Sequence, residues 1–134
     1  MSVAAKKIVA TKRFGTAVVE VSVGDITEQY GFDTIVLPTN ERMARDGKVG
    51  AAIRVKTDAA ALAEACRKLP PLERCSVALT AVTGLPSPNI IHCRAPQLGV
   101  MDASDGLRDA YRNILELRLR LVERSRALGR GEGV

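Results

Sequence analysis

The chain has 134 residues, of which 46% are hydrophobic and 26% are charged, and its formal net charge is +5 at pH 7. This length suits one domain with a buried core, and this composition is typical of a soluble globular protein and excludes a disordered or fibrous chain. No apolar run approaches the length of a membrane span and the N-terminus lacks an apolar signal segment, so we expect a cytoplasmic protein without membrane contacts.

The basic charge permits anionic partners without choosing among nucleotides, nucleic acid and acidic proteins. Two Phe, two Tyr and no Trp give few surfaces on which bases can stack, and this disfavours nucleic acid. The cysteines Cys66, Cys75 and Cys93 do not have the spacing of a zinc site. We therefore expect three buried thiols in a reducing compartment, with neither a metal nor another cofactor.

The first part of the chain predicts a hairpin followed by a strand. Two runs rich in β-branched residues, 6–14 and 16–23, flank Gly15 at hairpin spacing. Residues 33–39 form a nearly continuous apolar run, which is typical of a strand covered on both faces. Pro38 should end the hydrogen bonding of that strand, because proline has no backbone N–H.

The next segments predict a helix and two more strands. Residues 50–69 have helical character, with a break near 56–58 where Asp58 can cap a second piece. Residues 75–82 and 89–93 have the composition of strands, and a turn-rich segment joins them. Strands that alternate with helices predict an α/β layered fold.

The last predicted helix, over 102–128, has the strongest apolar periodicity, and Asp102 or Asp105 can cap it. Arg118 falls within its apolar face. Its stem can pack while its head reaches water, or the helix can meet a partner or an acidic group at this point. We predict a single domain over 1–128 and a flexible end over 129–134. The apolar face comprises Leu107, Tyr111, Ile114, Leu115, Leu121 and Val122.

Five segments follow one another in a specific order: VGDIT (23–27), DTIVLPTN (33–40), GKVGAAI (47–53), the strand–turn–strand region 66–96, and LRDAYRNILEL (107–117). Together they resemble the macro domain, the ADP-ribose-binding module, over roughly residues 18–120. The resemblance implies an α/β fold with a mixed β-sheet flanked by helices in three layers. It also implies ADP-ribose or a related nucleotide as the ligand.

The resemblance places ligand contacts at the ends of two strands. Asp25 would contact the adenine, and the backbone of Ile26 would assist it. An aspartate at this position can instead cap a local turn, and the residues alone favour that alternative. Asn40 would bind the distal ribose, since its amide offers both a donor and an acceptor.

The resemblance also places the first phosphate loop at residues 47–50. Gly47 and Gly50 would let the backbone approach a diphosphate near a helix N-terminus. Lys48 would add a favourable cation, and Val49 completes the loop. An ordinary loop that leads into a helix would show the same glycines, so these residues are weak evidence without the resemblance.

The chain departs from the family pattern at positions that matter for catalysis. Leu37 replaces the first of two asparagines, and Gly50 stands where hydrolases of the family carry an aspartate. Arg54 falls near the place of the lysine nucleophile of another branch, and Lys56 is close to it. His92 lies on an apolar strand, where histidine is more often a core residue than a base. We therefore expect no catalytic residues.

The family continues after the last helix with two strands and a second phosphate loop, whereas this chain ends at residue 134. In the family those strands lie between the hairpin and the strand that ends at Asn40. The sequence is thus interpreted as a C-terminally shortened macro domain whose hairpin and central strand keep open edges. A homodimer or a partner protein would complete the sheet.

Four functions follow, in decreasing order of support. The first is a non-catalytic module with weak or altered affinity for ADP-ribose or a related nucleotide. The second is a degenerate domain kept for oligomerisation or protein interaction, without a ligand. The third is an ADP-ribosyl hydrolase, which Gly50 argues against. The fourth is nucleic-acid binding through the arginines of 108–130, for which a solvated helix face is the simpler explanation.

Overall fold

Five strands and three α-helices occur in the predicted order, with ends that differ from the predictions by up to three residues. The structure is a computed structural model that describes residues 6–45, 47–96 and 103–129. The elements are β1 (Lys7–Phe14), β2 (Ala17–Val23), a short 3-10 helix (Ile26–Glu28), β3 (Thr34–Thr39), α1 (Gly47–Lys56), α2 (Ala59–Arg67), β4 (Val77–Ala81), β5 (Asn89–Arg94) and α3 (Ala103–Gly129).

The predicted hairpin forms a sheet of its own. β1 and β2 pair antiparallel, and Phe14 faces Ala17 across the turn. Gly15 adopts a left-handed φ of 61°, which only glycine reaches without strain. Among the described residues, the hairpin pairs with no other strand.

The other three strands form a mixed sheet in the order β3-β5-β4, in which β3 runs parallel and β4 antiparallel to β5. One face carries Leu37 and Ile90, which join Ile53 of α1 and Leu62 of α2 in the main core. The opposite face packs against α3. Helices therefore cover both faces, and the predicted mixed-sheet, three-layer architecture is confirmed.

The prediction that Pro38 ends the hydrogen bonding of its strand is wrong. β3 keeps its register with β5 through Pro38, and the last pair is Thr39 with Arg94. β3 is an edge strand among the described residues, and edge strands tolerate proline because one side of the backbone needs no partner.

The predicted break between the first two helices is confirmed. Asp58 is the N-cap of α2, and its side chain accepts a hydrogen bond from the backbone N–H of Ala61 at 3.1 Å. The other predicted cap, Asp102 of α3, lies outside the described residues, whereas Asp105 lies within the first turn of α3.

The face of α3 that meets the sheet differs from the predicted stripe. Ala110 is buried against the sheet and Gly106 is buried beside the segments that flank it, whereas Leu107, Tyr111 and Leu115 are at least half exposed. Small residues let the helix approach closely, and apolar periodicity alone does not detect them. Ile114, Leu121 and Val122 of the predicted stripe are partly buried.

Arg118 meets an acidic group, which was one of the two predicted alternatives. Its Nη2 donates to Oδ2 of Asp33 at 2.6 Å, and both side chains are nearly half exposed. The ion pair joins the middle of α3 to the residue that precedes β3. Because the pair is partly solvated, it adds little to the stability of the fold, and its main effect is to orient α3 relative to the start of β3.

The three cysteines are free and buried, as predicted. Within the described part of the chain, no helix combines the length and apolarity that a bilayer crossing requires.

His92 is a fully buried residue of β5, as the sequence predicts. Its Nε2 shares a hydrogen bond with Oγ1 of Thr80 at 2.8 Å and lies 4.0 Å from Sγ of Cys66. Its Nδ1 is buried without a hydrogen-bond partner among the described residues. Burial, reinforced by the positive charge of Arg45, lowers the pKa of His92 to about 4.

This burial predicts a loss of stability in mild acid. The folded pKa of His92 lies below the unfolded value of 6.5, so only the unfolded chain takes up the proton as the pH falls from 6.5 to 4. The free energy of unfolding should be level above pH 6.5 and should fall below it, by about 3 kcal/mol in total. Urea denaturation between pH 4 and pH 7 measures this change.

The variant His92→Gln provides the control for this prediction, because its amide can still bond the Thr80 hydroxyl but does not titrate. Its unfolding free energy should lack the decrease between pH 6.5 and 4. The pKa values of Asp25 and Asp33 are also lowered in the folded protein, but their protonation changes the free energy of unfolding only near pH 3.8 and below. It therefore leaves the range from pH 6.5 to 4 largely unaffected. An equal decrease in the variant would contradict the assignment to His92.

Candidate functional site

Asp25 follows the end of β2 and caps the short 3-10 helix. Its Oδ1 accepts hydrogen bonds from the backbone N–H of Thr27 at 2.9 Å and from the Thr27 hydroxyl at 2.7 Å. These two bonds lower the pKa of Asp25, so the exposed carboxyl is ionised at neutral pH. Since both bonds end on Oδ1, Oδ2 is the oxygen that can accept a hydrogen from a ligand.

Asn40 follows the end of β3 and organises the loop after it. Its Oδ1 accepts from the backbone N–H groups of Arg42 at 3.0 Å and Ala44 at 3.1 Å. The Thr39 hydroxyl donates to the carbonyl of Ala44 at 2.7 Å and closes the same turn. The amide oxygen is therefore already used within the protein, and the side chain offers a ligand the Nδ2 donor.

The predicted phosphate loop forms the first turn of α1. The helix begins at Gly47, whose φ of 74° is left-handed and beside which a Cβ would meet open space. Lys48 and Val49 are exposed. The first backbone N–H groups of a helix have no partner within it, so this turn can receive an anion.

Gly50 lets the backbone at Arg45, in the loop before α1, pack closely against the helix. A Cβ at Gly50 would lie 2.6 Å from the carbonyl carbon of Arg45 and 2.8 Å from its oxygen. The glycine is buried, and its missing side chain makes room for the loop that Asn40 organises. Its predicted role in approaching a diphosphate stays a prediction.

α1 connects the two ends of the candidate site. Nζ of Lys56, at its C-terminal end, lies 3.3 Å from Oε1 of Glu28 in the short 3-10 helix, and its charge also acts on Asp25. Gly47 lies at the opposite end of the same helix. A ten-residue helix is about 15 Å long at 1.5 Å per residue, so the arrangement suits an elongated ligand.

A groove of about 450 Å³ adjoins one end of the site. It is lined by Ile26 but by neither Asp25 nor Asn40. The predicted contacts are therefore not gathered in this cavity. Apart from the buried Gly50, they are exposed, and this exposure limits how well they exclude water.

Sequence reasoning missed two residues that support the site. Thr27 fixes the carboxylate of Asp25, and the Asp-x-Thr spacing is a turn signal that could have revealed it. Arg45 stabilises the loop that follows Asn40. Its Nη1 donates to the carbonyl of Met43 at 3.0 Å, and its Nε is buried. No pattern in the sequence marks that role.

The contact at Gly50 predicts that Gly50→Ala destabilises the protein. The added methyl group would meet backbone atoms of Arg45, so the loop must shift, at a cost of roughly 1–3 kcal/mol. Chemical denaturation measures the loss. Val49→Ala is the matched control, because that exposed neighbour should change stability by less than about 0.5 kcal/mol. Equal stability of the two variants would contradict the contact.

Comparisons with known proteins agree on one family. The macro domain family matches residues 36–128. Histone macroH2A1.1 of Capsaspora owczarzaki is 36% identical over 98 aligned residues, and the match covers 70% of this chain and 26% of that protein. The Oceanobacillus iheyensis macrodomain with ADP is 28% identical with a TM-score of 0.72, and the alignment covers 87% of this chain and 63% of that one.

The macrodomain of Trypanosoma brucei, solved in complex with ADP, is 30% identical with a TM-score of 0.59 over 69% of this chain and 38% of that one. This chain thus spans less than two thirds of each of these relatives. The family match covers more than half of the chain and agrees with the three-layer fold. The chain belongs to the macro domain family.

Proposed function

We propose that this macro domain binds ADP-ribose or a related nucleotide, with weak or altered affinity and without hydrolysing it. The observation that supports the proposal is that the hydrogen bonds of Asp25 and Asn40 use Oδ1 of each side chain, which leaves Oδ2 of Asp25, close to the Lys56 end of α1, and Nδ2 of Asn40, before its Gly47 end, available to a ligand. The ADP in two solved relatives supports an adenine nucleotide as the ligand.

Each group matches one part of such a ligand. The ionised carboxylate of Asp25 can accept from the amino group of adenine. The first turn of α1, with Lys48 beside it, can hold the diphosphate through backbone N–H groups and positive charge. Nδ2 of Asn40 can donate to a ribose hydroxyl. The groups are solvent-exposed, which supports weak rather than tight binding, because water competes for each of them.

The absence of hydrolysis is proposed from the same geometry. The position at which the family's hydrolases carry an aspartate is Gly50, and any side chain there meets the backbone of Arg45. His92 is fully buried and held neutral, so it is not placed to activate water at the surface. Lys56 is paired with Glu28 and lies at the adenine end of the site.

Calorimetry with ADP-ribose tests binding. Asp25→Asn and Asn40→Asp should each weaken it about tenfold or more, since each removes one hydrogen bond to the ligand, and the latter also sets a negative charge near the diphosphate. Asn40→Asp keeps an oxygen for the loop amides, so the loop should stay folded. Asp109→Asn, an exposed change on α3, is the control. No heat with millimolar ADP-ribose would overturn the proposal.

A second candidate function is assembly without a ligand, through the exposed edges and apolar surface. β2 and β3 each pair on one side only among the described residues, and several large apolar residues of the hairpin and α3 are at least half exposed. Such surfaces favour association with another protein or another copy. Under this function the protein is a stable dimer or part of a complex, and substitutions at Asp25 and Asn40 leave its activity unchanged.

A further inference from the structure

The outer face of α3 carries an exposed apolar row. Tyr111, Leu115 and Leu119 recur every four residues, and their exposed fractions are 62%, 66% and 54%. Leu119 follows Ala110 by nine residues, so it lies about 180° around the helix from the side that packs on the sheet. Strands added at an edge of the sheet would lie in its plane and would not cover this row. Large apolar side chains exposed together mark a surface that meets another protein.

Four charged residues frame the row on the same side of the helix. Asp105 and Arg108 precede it, Glu123 and Arg126 follow it, and all four lie within about 40° of Leu119 around the helix axis. Their side chains are exposed, and none of them takes part in an ion pair within the described part of the chain. The order of signs is acidic then basic at both ends. On a second helix that runs in the opposite direction, each acid would therefore lie opposite a base.

We propose that this surface binds a second copy of this chain, with the two α3 helices antiparallel across a two-fold axis at Leu115. In this arrangement Leu115 packs on Leu115 of the second copy, and Tyr111 of each copy packs on Leu119 of the other. An antiparallel pair of helices buries such a row along its seam. The proposal rests on the assembly function above and does not require a nucleotide.

Charge selects a second copy and the direction in which it runs. Arg108 lies beside Glu123 of the second copy, and Asp105 lies beside Arg126 of the second copy. The two-fold axis repeats both contacts, so four ion pairs join the copies. Parallel helices would instead set Arg108 beside Arg108 and Arg126 beside Arg126, and like charges at an interface oppose association. The surface is thus complementary to itself in charge when the helices are antiparallel.

A charge reversal tests the pairing. Light scattering over a dilution series should give a dimer for the natural chain. Arg108→Glu and Glu123→Arg should each raise the dissociation constant about tenfold or more, because each sets like charges together at two symmetric places. The double variant should restore the natural value, since the two reversed charges attract each other again. Residues 108 and 123 lie about 22 Å apart along one helix, so this rescue arises between copies and not within one.

Arg124→Glu is the matched control. It makes the same change of charge at an exposed position of α3, but about 140° around the helix from Leu119. The dissociation constant of this variant should equal that of the natural chain.

The outcomes separate this surface from the other proposals. A monomeric natural chain overturns the pairing. A dimer that neither single variant weakens, or that the control weakens equally, overturns this surface while assembly through another surface stands. A double variant that stays dissociated also overturns the pairing, because general damage to the fold would act in the same way. Calorimetry with ADP-ribose on the same samples reports nucleotide binding separately, so failure of the nucleotide proposal is distinguishable.

Discussion

Two backbone amides donate to the side-chain oxygen of Asn40, and the turn that they create determines how the chain passes from β3 into α1. The same loop is held from a second direction, because the backbone N–H of Leu72 donates to the carbonyl of Glu41 at 2.7 Å. The first turn of α1 then packs so closely on the loop that only glycine fits at position 50. One side chain thus holds the loop against which the start of the helix packs.

The two parts of the structure differ in how they are stabilised. The three-stranded sheet is covered by helices on both faces, and its central strand β5 is nearly completely buried. The hairpin is held by its own ladder and by a few contacts around residues 24–33, including an approach of Nζ of Lys6 to the ring of Phe32 at 5.2 Å. The three-stranded sheet is therefore stabilised by packing on both of its faces, whereas the hairpin is stabilised mainly by its own strand pairing.

Most of the fold was predictable because its signals are local. The hairpin follows from β-branched runs around Gly15, and the division between α1 and α2 follows from Asp58, whose capping needs only a neighbouring amide. The packed face of α3 was not predictable from apolar periodicity, since the contacts use Gly106 and Ala110. The sequence also does not show which atom of Asn40 is occupied, because that depends on where the amides of Arg42 and Ala44 lie in space.

Under the proposed function, the length of α1 would limit which ligands can reach both ends of the candidate site. The charge of Lys56, at the C-terminal end of this helix, acts on Asp25, and Asn40 precedes the N-terminal end, so ten residues of helical backbone separate the two ends of the candidate site. Under the proposed function, a nucleoside or monophosphate would engage one end at a time, whereas a molecule with two sugars joined by a diphosphate would reach both. A single residue added to or removed from the helix would change this distance by about 1.5 Å and rotate one end by about 100° relative to the other. Under the proposed function, selection by molecular length would thus depend on a secondary-structure element as well as on the side chains that touch the ligand.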